Sequence, residues 1–443
     1  MRSCLLIVGG MFFAAMTAMA QAPGDLSSSV QAQLPALTET YKRLHRNPEL
    51  SHFEAQTSAY LADELRKLGY TVTERVGKYK DGAQAYGIAA VMENSVGSRL
   101  LIRSDMDALP VEEKTGLDYA STVKTTNAQG QNVSVMHACG HDIHMTVLLG
   151  TAREMATRKN KWHGTLMLIG QPSEETIDGA KAMMTDRLYE RFGKPDYILV
   201  EHDTNEYPAG TIAVKPGPLL AGATSVNVVI RGVGSHGSAP QAGKDPIVLA
   251  AEFILTAQTI VSRQMDPQIP AVVTVGTIHG GTKNNIIPEE VTMGLSLRSF
   301  SDEVRAKIVS ELDREAKGLA EGYGIPADRM PTVKVFENTP ATINDLGLTA
   351  KIRASGAAAL GRENVLDAKP VMGSEDVGQF SQAGTIPAVM FWLGAADEQK
   401  LEEAKKSGVS LPMQHSPLFA PFYEPTIRTG VTAVAAMALD ILK

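Results

Sequence analysis

The stretch Leu100-Leu101-Ile102-Arg103-Ser104-Asp105-Met106-Asp107 is an apolar run that ends in carboxylates. Residues 166–169 repeat the design and lead into Gln171-Pro172-Ser173-Glu174-Glu175. Residues 197–200 repeat it again and lead into Glu201-His202. Short apolar runs of this kind read as strands buried on both faces, as in parallel sheets. Their carboxyl ends are where open α/β sheets build sites. Before them, residues 54–69 place Leu61, Leu65 and Leu68 on one helical face, with Gly69 as the stop. The expectation is an α/β catalytic domain with a mixed, mostly parallel sheet flanked by helices.

Between residues 219 and 340 the pattern changes. Val291, Met293, Leu295 and Leu297 alternate with Thr292, Gly294 and Ser296, as in a half-exposed antiparallel strand. The order is strand 225–231, helix 246–263, strands 271–279 and 290–299, helix 302–321 and strand 333–337. That βαββαβ order predicts a ferredoxin-like α+β domain. It is inserted into the first domain, which occupies 21–218 and resumes at 341–443. A chain of 443 residues has room for both. The half-exposed sheet leaves a face and edges for a symmetric partner, so the insertion is expected to act as a lid and to form a homodimer.

Forty-two basic residues against 49 acidic ones give a net charge of −7, with no basic run that would track phosphates, which argues against a nucleic-acid partner. Residues 1–20 combine Arg2, an apolar stretch and Ala18-Met19-Ala20, the pattern of an export signal cleaved near Ala20. The expected location is the bacterial periplasm or the outside of the cell, with no membrane anchor, because no other segment reads as long and apolar enough to span a bilayer. Cleavage would remove Cys4 and leave Cys139 as the lone thiol of the mature chain.

Cys139 stands in His137-Ala138-Cys139-Gly140-His141-Asp142-Ile143-His144, three of the ten histidines within eight residues. Cys139 and His141, separated by a glycine, can turn toward one centre, and thiolate with imidazole is a favoured zinc pair. His144 either shares that face or is a hydrogen-bonded structural histidine. The pair Glu174-Glu175 needs a cation or a proton between its members; one carboxylate can bind metal while the other takes a proton from water. An isolated Glu-Glu is more often an exposed acidic loop, but here the preceding strand sets it at the sheet edge that also carries Asp105, Asp107 and His202.

The strings LHRNPELSHFE (44–54), RSDMDALP (103–110), MHACGHDIHM (136–145), GQPSEE (170–175), GVGSHGSAP (232–240), NNIIPEE (284–290) and GSEDV (373–377) resemble, in order, the motifs of M20-type metallohydrolases, in particular the hippurate hydrolase-like branch of N-acyl amino acid amidohydrolases. The resemblance implies two divalent cations bridged by Cys139, with His141, Glu175, His202 and His415 as the other ligands. Zinc is the first expectation, with manganese, cobalt or nickel as alternatives. It further implies Glu174 as general base, Asp107 as the carboxylate that orients a ligand, His236 as an oxyanion-stabilising group, and Asn285 and Arg298 as contacts to substrate. His236 is far in sequence from every ligand, so domain motion or a neighbouring subunit must bring it to the metals. The implied substrate is a small N-acyl amino acid or dipeptide-like amide; a dipeptidase or carboxypeptidase is the alternative. Three features stand apart. Asp203-Thr204-Asn205-Glu206 replaces an expected apolar continuation after His202, predicting an unusually polar pocket. Glu375-Asp376 reads as either a substrate contact or a structural one. His45, His52, His163 and His279 match no ligand position and read as solvated or satisfied.

Overall fold

The computed structural model describes residues 24–443; the export signal expected at 1–20, with Cys4, lies outside the described residues. Eight strands form one sheet, in the order Thr71–Lys78, Gln84–Glu93, Thr165–Gln171, Arg99–Asp105, Tyr197–Pro208, Ala388–Ala396, Ile212–Val214 and Val365–Asp367. The strands from Thr165–Gln171 to Ala388–Ala396 run parallel, and antiparallel pairings join them to their outer neighbours. The sheet is mixed, with four parallel strands in the middle and one more parallel pair, Ile212–Val214 with Val365–Asp367, at one edge.

Successive strand residues point to opposite faces, and both faces are covered. Ile102, Leu168, Leu199 and Phe391 pack under helices Gly24–Arg46, Ala55–Lys67, His141–Thr157 and Tyr423–Ile441. Leu101, Met167, Val200 and Met390 pack on the other side, with Met183 and Leu188 from the short helices Gly179–Thr185 and Leu188–Phe192. This double burial is why the strands read as unbroken apolar runs.

The inserted domain has the expected ferredoxin-like arrangement. Its sheet order is Ala271–Gly280, Glu290–Ser299, Gly222–Arg231, Thr332–Thr339, all antiparallel. Helices Pro246–Thr259 and Asp302–Gly322 bury Leu249, Phe253, Ile308 and Leu312 against Val226, Val228, Met293 and Leu295. One expectation needs correction here. The helical stretch Pro246–Gln264 is, by length and composition, long and apolar enough to cross a bilayer, so the signal region is not alone in this. The reason is that it is apolar on two faces: Leu249, Ala250, Phe253 and Ala257 fill the domain core, while Ile247, Val248 and Leu255 are exposed.

Of the four histidines read as solvated or satisfied, His163 and His279 are exposed and His52 is half-buried beside Asp178. His45 is buried, its Nδ1 2.7 Å from Asp142 Oδ2 and its Nε2 3.1 Å from Glu113 Oε1. Burial opposes the imidazolium, but hydrogen bonds to the two carboxylates outweigh it and raise the pKa to about 9. The folded value lies above the unfolded one, near 6.5, so the stabilisation is fully present below about pH 6.5 and lost as pH rises through 9. His45→Gln should therefore lower the unfolding free energy by about 3 kcal/mol at pH 6 and by much less at pH 9.5, in urea titrations; an equal loss at both pH values would contradict the buried cation.

Candidate metal centre

The centre is built at the carboxyl edge of the parallel strands. Cys139, Gly140 and His141 form the turn that enters helix His141–Thr157. Gly140 has φ +81°, and a Cβ there would come within 2.1 Å of Asp203 Oδ1, so only glycine permits the turn. The turn brings both neighbours to one place. The ligand atoms of Cys139, His141 and His202 lie within 4.8 Å of one another, and so do those of Cys139, Glu175 and His415. These two groups share the thiol and together contain all five ligands expected from the sequence. Cys139 Sγ is 3.6 Å from His202 Nε2, and His415 Nε2 is 3.4 Å from Glu175 Oε2.

The rings are held in the orientation a metal requires. His141 Nδ1 lies 2.7 Å from the Asp107 carbonyl, and His202 Nδ1 lies 2.8 Å from that of Asp203. An N–H donated to each carbonyl leaves the Nε2 lone pair for a cation. His141 Nε2 and Glu175 Oε1 are buried without a hydrogen-bond partner, a costly condition unless something binds them. Burial, together with the charges of Glu175 and Glu174, pushes the Cys139 thiol well above its ordinary pKa. A thiol flanked by carboxylates becomes a thiolate when positive charge is placed beside it. Thiol, imidazoles and carboxylate fit divalent cations.

The carboxylate pair is clamped from behind. Asp107 accepts the amide N–H of Glu174 and of Glu175, each at 3.0 Å, and the Ser51 hydroxyl at 2.6 Å. Asp107 thus orients His141 through its carbonyl and the Glu174-Glu175 turn through its carboxylate. The preceding residue, Ser173, has φ +53°, an unfavourable conformation for a residue with a side chain. It is held there by Glu54, whose Oε1 accepts from the Ser173 amide at 2.8 Å and hydroxyl at 3.0 Å and from the His52 amide at 3.0 Å; the Tyr79 hydroxyl lies 2.5 Å from Ser173 Oγ. Burial and the nearby Asp107 raise the Glu54 pKa to about 8.

The geometry bears on two open readings. His144 is hydrogen-bonded at both ring nitrogens, its Nδ1 2.6 Å from Asp105 Oδ1 and its Nε2 3.1 Å from Asp203 Oδ1, although it also groups with Asp105 and His141 and with His202 and Asp203 at metal-ligand spacing. Glu375 and Asp376 make structural contacts: the buried Arg103 guanidinium donates to Glu375 at 3.1 and 3.0 Å, to Asp376 at 3.2 Å and to Asp105 at 2.7 Å. Arg103, Glu54, Ser173 and Tyr79 were missed as site-supporting residues. Arg103 carried a signal, a cation within an apolar strand, which must find buried anions.

The centre opens into a cavity of about 530 Å³ lined by Cys139, Glu174, Glu175, His202, His415 and Arg298. Thr204, Glu206, Leu220, Val371, Trp392, Met413 and Gln414 complete much of the wall. A second cavity, of about 560 Å³ beside helices Leu346–Leu360 and Tyr423–Ile441, holds none of the candidate groups. Arg298, from the inserted domain, is half-buried; burial lowers its pKa, and it has no ion-pair partner among the described residues. His236 and Asn285 are not brought into the cavity. Both are exposed: His236 lies on a small two-stranded ribbon paired with Ile286–Ile287, Asn285 sits in the turn just before it, the Gly237 amide donates to the Asn285 carbonyl, and His236 Nδ1 is 2.7 Å from the Ser238 hydroxyl.

Residues 101–410 match the family model described as peptidase family M20/M25/M40. The chain belongs to that family. It is 34% identical to thermostable carboxypeptidase 2 of Saccharolobus solfataricus over 401 residues, 90% of this chain and 93% of that one. It is 35% identical to the hippurate hydrolase of Campylobacter jejuni over 344 residues, 77% of this chain and 83% of that one. A crystal structure from Bacillus subtilis described as a dinuclear metal-binding peptidase of the M20 family superposes with a TM-score of 0.74 at 28% identity, covering 93% of this chain and 99% of the other. This M20 chain is a metal-dependent hydrolase of amide or peptide bonds.

Because a neutral carboxyl at Glu54 makes the same hydrogen bonds as an amide, Glu54→Gln should keep kcat within about threefold, whereas Glu54→Ala frees the strained turn and should lower it at least tenfold, given how steeply rate depends on the position of a reacting group. Steady-state kinetics on the metal-loaded enzyme checks this; a Gln variant as impaired as the Ala variant would show that the charge, not the hydrogen bonding, matters.

Proposed function

We propose that this enzyme hydrolyses the amide bond of small N-acyl amino acids, with Cys139, His141, Glu175, His202 and His415 holding two divalent cations, zinc first among them, and Glu174 as the base. One observation carries the reading: four of the five proposed ligands, Cys139, Glu175, His202 and His415, and an additional buried carboxyl, Glu174, line the same cavity. The cations, when bound, polarise the scissile carbonyl and acidify a water molecule. Glu174 takes the proton of the attacking water and returns it to the leaving nitrogen, which must depart as a neutral amine. Burial, then Glu375, Glu175 and Asp376, raise its proton affinity, as that duty requires. Arg298 receives the substrate carboxylate through paired hydrogen bonds, and Leu220, Val371, Trp392 and Met413 offer an apolar wall for the acyl group.

The likeness to a hippurate hydrolase supports an N-acyl substrate, and the likeness to a carboxypeptidase supports the alternative, a peptide trimmed at its carboxyl end. His236 and Asn285 would join the cavity on closure of the inserted domain or from a second subunit. The outer strand Ala271–Gly280, largely exposed, and the exposed Ile247, Val248 and Leu255 support a homodimer through this domain. The residues at 1–20 support export to the periplasm.

Product analysis should show that the zinc-loaded enzyme releases benzoate from N-benzoylglycine faster than it releases leucine from glycyl-leucine; the opposite order would favour the peptidase. Glu174→Gln should retain both cations by elemental analysis while losing about 10²–10⁴-fold in kcat. Loss of a cation from that variant would instead make Glu174 a ligand.

A further inference from the structure

The polar segment after His202 has a consequence for what the cavity accepts. On the strand Tyr197–Pro208, His202, Thr204 and Glu206 all line the cavity, the alternation expected of one strand face. The intervening residues serve the interior: Asp203 contacts His144, and the Asn205 side-chain amide donates to the Pro412 carbonyl at 2.8 Å. Glu206 is therefore a wall residue of the same cavity, four strand residues or about 13 Å from His202.

The carboxylates of that wall have different circumstances. Glu375 is neutralised by Arg103, Glu175 belongs to the ligand groups, and Glu174 is the base. Glu206 is left: it is exposed to the cavity, its amide is pinned to Thr204 Oγ1 at 3.2 Å, and its side chain has no ion pair or hydrogen bond among the described residues. Arg298 supplies the complementary case, a cation in the same cavity without an anion. Unpaired charges of both signs in one cavity match a ligand that carries both.

We infer that Glu206 is a specificity residue that receives an ammonium group at the far end of the substrate, so that the preferred substrates are N-acyl amino acids whose side chain ends in an amine. The spacing sets the class. The amine of a free dipeptide is one carbon from the scissile carbonyl and cannot reach so far, whereas a four-carbon side chain spans several ångströms. Glu206 touches no reacting atom; it selects.

The inference rests on the amidohydrolase reading, and the test separates the two. Nα-acetyl-lysine and Nα-acetyl-norleucine differ essentially by the terminal amine, and their kcat/KM ratio is measured with zinc-loaded wild type, Glu206→Gln and Glu206→Lys. The wild-type ratio should exceed one, fall about tenfold in Glu206→Gln, as for loss of a hydrogen bond to a charged group, and drop below one in Glu206→Lys. The wild-type preference should also shrink at high salt. Hydrolysis of both substrates with a ratio that neither variant moves would overturn the role of Glu206 alone. A change of the same factor for both substrates would overturn it too, assigning Glu206 to a contact with Arg298. No hydrolysis of either substrate by the wild type would overturn the amidohydrolase reading and the inference with it.

Discussion

A buried thiol with carboxylates on several sides is electrostatically unfavourable until positive charge is added. Cys139 is covered, and Glu175, Glu174, Asp105 and Asp203 all oppose its ionisation. His141 Nε2 and Glu175 Oε1 are buried beside it without a hydrogen-bond partner. Moving an isolated charge out of water costs many kcal/mol, so this concentration of acidic groups needs protons or cations among them. The chain supplies a few of its own: Arg103 for Asp105, Glu375 and Asp376, and His45 for Asp142 and Glu113. These satisfy the surroundings and leave the centre, where Cys139, His141, Glu175, His202 and His415 meet, to be completed from outside.

The sheet makes such a centre possible. Parallel strands covered on both faces end at one edge, and each delivers its polar residues there at a fixed spacing. Asp107 follows one strand, Glu174 and Glu175 a second, and His202 lies on a third. Two networks then restrict what the edge residues can do: the Asp107 clamp on the Glu174-Glu175 turn, and the Glu54 hold on the left-handed Ser173. In the proposed reading, rigid supports of this kind let two adjacent glutamates, chemically identical, serve one as a ligand and the other as a base.

Much of this was legible in the sequence. Residues 100–102, 166–169 and 197–200 read as strands because burial on both faces demands unbroken apolar runs, and the inserted sheet read as antiparallel because one face alone is buried. The 137–144 cluster and the Glu174-Glu175 pair stood out as candidate metal-site residues by density and placement, whereas His415 was indicated by the family resemblance alone. Less legible were features that depend on contacts distant in sequence. Arg103 and Glu375 are separated by 272 positions, and nothing local indicates that they pair. Ser173 gives no sign of its positive φ, since glycine and asparagine are the residues that announce it. The stretch 246–263 was read as a helix, but its second, exposed apolar face, with Ile247, Val248 and Leu255, shows only in the packing. The polarity of residues 203–206 was legible, but its division between the interior and the cavity wall required the strand register.

Under the proposed function, the single thiol of Cys139 would serve both cation sites. Elemental analysis and calorimetric titration of metal-free protein with zinc, for wild type and Cys139→Ser, test it most directly. Two cations per chain are expected in the wild type, with both weakened by the substitution, because a hydroxyl is not ionised at neutral pH and bridges poorly. A single cation per chain in the wild type, or full and unweakened occupancy of both sites in Cys139→Ser, would contradict the bridge.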